Sequence, residues 1–238
     1  MKISLFIPCF IDRFYPGIGI AMAGIFERLG HEVDYPEAQT CCGQPAFNTG
    51  FNDEARRVAE HHIACFRNSE RVVVPSGSCG AMLRVFFPQL FSGHALEADA
   101  KALSAKTFEF SEFLVDHLKV TDTGSRYSAK ATIHDGCHGL RELRIKHQPR
   151  ALLRNVRDLT IVEMGEAESC CGFGGTFSVK MPAISTAMAE VKCRSILDAG
   201  AETVVSNDAS CLMQIEGLLK RQGHNIRCLH LAEVLASK

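Results

Sequence analysis

One cysteine pattern occurs twice in this chain. A single cysteine, then Cys-Cys-Gly, then a further cysteine describe Cys9, Cys41-Cys42-Gly43 and Cys79. The second copy is Cys137, Cys170-Cys171-Gly172 and Cys211, in which every member recurs at a nearly constant offset from its counterpart. Eight of the eleven cysteines therefore belong to a duplicated unit. A chain built this way is expected to fold as two related halves, residues 1–125 and 126–238. With 238 residues and 46% hydrophobic content, it has enough apolar surface for two cores that share an interface.

Where the chain works decides how its cysteines are read. The opening run MKISLFIPCF lacks the longer apolar core and small-residue cleavage site of a signal peptide, and reads as a first strand. No stretch of some twenty apolar residues is present, so no direct membrane span is expected. The 26 basic and 27 acidic residues nearly cancel and form no long single-sign run, which argues against a nucleic-acid or membrane-surface partner. The expected location is cytoplasmic. A reducing compartment disfavours structural disulfides and leaves thiolates for metals or catalysis.

Short β-rich runs alternate with helical segments. Strands are expected near 3–7, 32–35, 71–74, 131–134, 160–163, 203–206 and 226–229, each brief, apolar and bounded by turn residues. Helices are expected from Pro16 to Gly30, along the face Ala55, Val58, Ala59, His62, Ile63 and Phe66, at 182–199 and at 211–221. A helical stretch at 110–118, inside the segment 94–126, is expected to bridge the halves. The fold class is α/β: two pseudo-symmetric Rossmann-like halves with mainly parallel sheets, each carrying one Cys-Cys-Gly motif. Ligands of such sheets gather beyond the carboxyl ends of the strands. Cys9, Cys79, Cys137 and Cys211 all follow expected strands.

Four thiolates per half suit zinc or iron, because soft sulfur donors select zinc and iron-sulfur clusters over magnesium or calcium. Simple structural zinc sites draw on close pairs such as Cys-x-x-Cys, which this pattern lacks. Contiguous cysteines flanked by Gly43-Gln44-Pro45 and Gly172-Phe173-Gly174-Gly175 fit a loop that wraps a larger body, with its backbone close to the sulfides.

The chain resembles the cysteine-rich, or CCG, domain found twice in a subunit of heterodisulfide reductase and in the iron-sulfur subunit of glycolate oxidase. The runs PEAQTCCGQPAFNTGF, PSGSC, HDGCHGLRELRI, ESCCGFGGTFSVKMPAIS and SNDASCLMQIEG are similar to the lactate utilisation protein A family over the whole chain. That resemblance implies an iron-sulfur electron-transfer subunit of an L-lactate oxidation complex, working with other subunits and not active alone. The cluster ligands it implies are Cys9, Cys41, Cys42 and Cys79, then Cys137, Cys170, Cys171 and Cys211. The broader pattern ends in Cys-x-x-Cys, and here Ser76 and Asp208 stand where its first cysteine would be. The expectation is one four-cysteine [4Fe-4S] cluster per half, with Ser76, Asp208, His134 and His138 as candidate neighbours. Two other readings stay open: a heterodisulfide-reductase-like thiol/disulfide oxidoreductase subunit, and a scaffold in which zinc replaces the clusters.

The remaining candidates read as structural. Cys65 and Cys228 lie in an apolar helix and strand, and Cys193 sits opposite the Ile184, Met188 and Val191 stripe of its helix. His61 and His62 read as ordinary helix residues. Arg141, Arg144 and Lys180 read as solvated charges. The 172–175 glycines lack the strand-turn-helix setting of a dinucleotide loop. No catalytic triad, paired carboxylates or flavin motif can be assigned.

Overall fold

The computed structural model describes residues 1–238. Eight strands form two sheets: β1 (Lys2–Leu5), β2 (Glu32–Asp34), β3 (Val72–Val74) and β4 (Thr107–Glu109), then β5 (Arg126–His134), β6 (Arg157–Ile161), β7 (Thr203–Ser206) and β8 (Arg227–His230). The orders are β2-β1-β3-β4 and β6-β5-β7-β8, and every pairing is parallel. The two sheets repeat one topology. In each, chain order reverses between the two central strands, which is where an open parallel sheet leaves a crevice at its carboxyl edge. The central strands are the buried ones: the Val72–Val74 and Thr203–Ser206 strands are inaccessible along their whole length, as β-branched runs covered on both faces are.

Three expectations shift. Strand β5 starts at Arg126, not near 131, because its first residues are half-exposed and polar and carry no apolar run. Strand β6 likewise starts earlier, at Arg157. The segment 94–126 is more than a bridge. It supplies helix Glu97–Lys106 and β4, which completes the first sheet through Val73↔Phe108 pairing, and only then the helical turns Phe110–Glu112 and Phe113–His117.

Apolar packing crosses between the halves. Ile3, Leu5, Ile18, Met22 and Phe26 share one core with Ile133, Leu152, Val205, Leu231 and Val234. Phe26 meets Phe110 and Phe113 edge-on at 5.7 and 5.8 Å. Each such buried ring or branched chain contributes roughly 1.5–3 kcal/mol. Helix Leu231–Ala236 at the chain end lies against helix Pro16–Arg28 near its start. Separate cores, one around Phe66 and Phe87 and one around Ile196 and Leu219, lie under the outer helices of each half.

Helix Pro182–Asp198 buries the face that carries Cys193 and turns most of the apolar stripe outward. Ile184 and Val191 face solvent, while Ser185, Ala189, Lys192, Cys193 and Ile196 are buried. Small residues on that face let the helix sit close to its neighbour, helix Ala209–Arg221, and Cys193 packs with its Sγ 3.8 Å from the Ile215 carbonyl.

Candidate metal centre

All four single cysteines of the motif fall in the first turn of a helix that follows a central strand. Cys9 opens helix Cys9–Phe14 after β1, Cys79 lies in Gly77–Ala81 after β3, Cys137 opens Cys137–Arg141 after β5, and Cys211 lies in Ala209–Arg221 after β7. Each of these cysteines therefore sits at the amino-terminal, positive end of its helix. The Cys-Cys pairs arrive on loops. Their glycines, Gly43 and Gly172, adopt φ of +81° and +87°, open to glycine at little cost, and turn an N–H back onto the sulfur of Cys41 and Cys170, 3.4 Å away in both halves.

Within each half the sulfurs touch in a chain. Cys9 and Cys42 both hydrogen-bond Cys41, and Cys42 lies 3.3 Å from Cys79, Sγ to Sγ. Cys137 and Cys171 both hydrogen-bond Cys170, and Cys171 reaches Cys211. The consequence is the same twice over. The hydrogen bond from Cys42 and then that from Cys9 hold Cys41 far below the usual thiol range, and Cys137 and then Cys171 do so for Cys170. Cys9, Cys42, Cys137 and Cys171 are pushed up, first by their contacts with neighbouring sulfurs and then by burial. All eleven cysteines are free thiols. The eight of the motif line one cavity of about 260 Å³ between the halves, whose wall also carries Phe10 and Phe173, edge-on at 5.7 Å.

The expected neighbours separate. His134 ends β5 in a buried position, and one of its ring nitrogens, Cys171 Sγ and Cys211 Sγ lie within 4.8 Å of one another. Neither ring nitrogen has a hydrogen-bond partner. The neighbouring Ala167 carbonyl accepts instead from the Asp135 N–H at 3.1 Å and from Lys192 at 3.2 Å. Burial first, then the Lys192 cation, pulls His134 down to about 3. His138 lines the cavity with Nδ1 3.3 Å from Glu142 Oε2. Ser76 and Asp208, the two positions lacking a cysteine, meet each other: Ser76 Oγ donates to Asp208 Oδ1 at 2.9 Å, and the Ser78 N–H does so at 3.1 Å. Asp208 reaches the cavity wall, whereas Ser76 Oγ is occupied by Asp208 and the Cys79 N–H. Arg141, Arg144 and Lys180 are exposed.

Several residues that build the site carry no signal in the cysteine pattern. Gln39, two residues before Cys41, donates to the Leu5 and Pro36 carbonyls at 3.1 and 3.0 Å and accepts from the Ile7 N–H at 2.7 Å, tying the first loop to β1. Lys192 ties down the second loop through the Glu166 and Ala167 carbonyls. Buried His62 packs on Phe6 at 4.4 Å, and the Cys41 thiolate favours its protonation against a larger burial effect. Arg150 grips Asp135, two residues before Cys137. Gln39 lies within a motif run and was open to notice. Lys192 and His62 needed the buried faces of their helices to be known.

The donor set fits a thiolate-ligated metal or iron-sulfur cluster: four converging sulfurs per half, helix amino termini behind them, N–H groups on the sulfurs and a mostly apolar wall. Residues 3–84 and 131–216 each match the cysteine-rich (CCG) domain family. Proteins called Lactate utilization protein A are similar over full length. The one from Geobacillus strain WCH70 is 48% identical, with all of both chains covered. The one from Exiguobacterium strain AT1b is also 48% identical, over 98% of this chain and 96% of that one. The protein of Bacillus pumilus strain SAFR-032 is 47% identical over all of both chains. Among solved structures, a hypothetical protein from Helicobacter pylori superposes with a TM-score of 0.68 at 11% identity, over 98% of this chain and 48% of that one, which is a likeness of fold.

Proposed function

The chain belongs to the lactate utilization protein A family of cysteine-rich (CCG) domain proteins, and from that premise we propose that it is the iron-sulfur electron-transfer subunit of an L-lactate oxidation complex, taking electrons from lactate towards a cellular acceptor. The observation that carries the electron-transfer part is the cavity on which two four-sulfur sets converge. The lactate part rests on the names of its relatives. Cys9, Cys41, Cys42 and Cys79 hold one [4Fe-4S] cluster, and Cys137, Cys170, Cys171 and Cys211 hold the other. Such a cluster supplies a one-electron carrier whose potential follows its hydrogen bonds and burial.

The chain's own residues do the rest. Cys41 and Cys170, already favoured as thiolates, present anionic donors before loading. The N–H groups of Gly43 and Gly172 donate to those sulfurs and lower their electron density. Phe10 and Phe173 cover the cavity from opposite halves and limit water. The dehydrogenation of lactate, which needs a base and a hydride acceptor, falls to partner subunits.

Iron and acid-labile sulfide in the anaerobically purified chain test the reading. A preparation holding zinc with neither iron nor sulfide would end it. Reconstituted with its partners, the chain is expected to support lactate-dependent electron transfer that Cys42→Ala and Cys171→Ala abolish.

A further inference from the structure

The two sites are built alike but sit in different fields. The loop entering Cys41-Cys42 is held by a neutral amide, Gln39. The loop entering Cys170-Cys171 is held by the amino group of Lys192, which is wholly inaccessible, donates to two backbone carbonyls and has no carboxylate within ion-pair distance; burial lowers its pKa, and the Cys171 and Cys211 sulfurs oppose that and favour the ammonium form. Aligning the two copies on their cysteine pairs places Ile63 opposite Lys192, and aligning them on Cys9 and Cys137 places Phe6 opposite His134, both of them buried and apolar. His62 gives the first site a buried neutral imidazole of its own. The histidines therefore largely offset each other, and the ammonium is the difference that remains.

Asp208 does not reverse this. Its carboxylate lies on the line between the halves, three residues before Cys211, and accepts from Ser76 Oγ and the Ser78 N–H beside Cys79. Its carboxylate is tied to the first half by these bonds and, in the second, raises Cys137, whereas Lys192 interacts with Cys171 and Cys211 at the other side of the second site. A cation in a poorly solvated setting favours the more negative, reduced state of a nearby cluster.

Resting on the cluster reading above, we propose that Lys192 makes the second site the stronger electron acceptor, so that a single electron entering the chain settles at Cys137, Cys170, Cys171 and Cys211. The electron comes from a one-electron donor, such as a flavin semiquinone or an iron-sulfur centre of a partner, which is oxidised by that one electron. No bond of the chain is made or broken.

Potentiometric titration of the full, anaerobically reconstituted chain, followed by electron paramagnetic resonance, tests this. Two reduction steps are expected, the higher removed or displaced by Cys171→Ser and the lower by Cys42→Ser. Lys192→Met should weaken electron uptake at the higher step at least tenfold, about 59 mV for a one-electron couple, and leave the lower step in place, while Lys192→Arg retains the wild-type order. Two sites titrating together, a higher step that follows Cys42→Ser, or unmoved steps in Lys192→Met would overturn the inference and leave the cluster reading standing. Absence of iron and sulfide would overturn both. Should Lys192→Met fail to load, the wild-type order with its two serine variants decides the matter.

Discussion

The guanidinium of Arg150 holds two carboxylates at once. It meets both oxygens of Asp135 at 2.8 and 2.9 Å and both oxygens of Glu163 at 2.7 and 2.9 Å. Asp135 is buried, so removing its cation strands a charge that water cannot reach. Arg150→Met is expected to cost about 3–5 kcal/mol in urea unfolding, with part of that recovered when Asp135→Asn is added. The exposed Lys101–Glu97 pair is a control whose loss should leave the midpoint nearly unmoved. At this scale the sequence was legible wherever chemistry is carried by residue type and spacing, as with the eight cysteines. It was not legible for Arg150 or Lys192, whose roles depend on which helix face turns inward. In helix Pro182–Asp198 an apolar stripe, Ile184, Met188 and Val191, competes with the Ser185, Ala189 and Ile196 face, and it is the less apolar face, with Lys192 on it, that is buried.

The loops that carry the paired cysteines depend on one backbone conformation. A Cβ on Gly172 would lie 2.4 Å from the Ser185 carbonyl, and on Gly43 3.3 Å from that of Ala55, both at positive φ. Gly172→Ala should therefore displace the second loop and lower the thermal midpoint and, on the proposed cluster reading, lose iron from that site, with Gly43→Ala milder. Gly217→Ala, mid-helix with open space around it, is expected to stabilise by up to about 1 kcal/mol. Retention of full iron in Gly172→Ala would show that the loop tolerates another geometry. The strand ends were foreseeable because buried parallel strands are apolar, short and followed by turn residues. Strand β4 was not, because Thr107-Phe108-Glu109 is three residues long and ends in a glutamate that no burial scale places in a core.

That glutamate ties the halves together. Glu109 accepts from Asn207 Nδ2 at 3.0 Å, and His230 bridges the Pro75 and Asn207 carbonyls at 3.1 Å each, beside the core that both halves share. We expect residues 1–125 alone to lack a cooperative transition, and the full chain to unfold in a single step with coincident near- and far-UV circular dichroism. Protonation of Glu109 provides a sharper check on this interface. Burial, only partly opposed by its hydrogen bonds from Ser111 and Glu112, raises its carboxyl from an ordinary 4.5 to about 8. Folded Glu109 therefore keeps its proton where the unfolded chain has lost it. Its stabilising share is complete below about pH 4.5 and is lost as pH rises to about 8, a change of a few kcal/mol. His230, pulled down to about 4 by burial, runs the other way, with its share complete above about 6.5 and lost as pH falls. Glu109→Gln cannot ionise, so its stability relative to wild type should climb between pH 4.5 and 8 and level off above. The slope, not the offset, carries the test, because any mismatch of the new amide with Asn207 adds a constant. Parallel wild-type and variant curves across that window would mean that Glu109 ionises in the folded protein and that the contact between the halves is wetter than its burial implies.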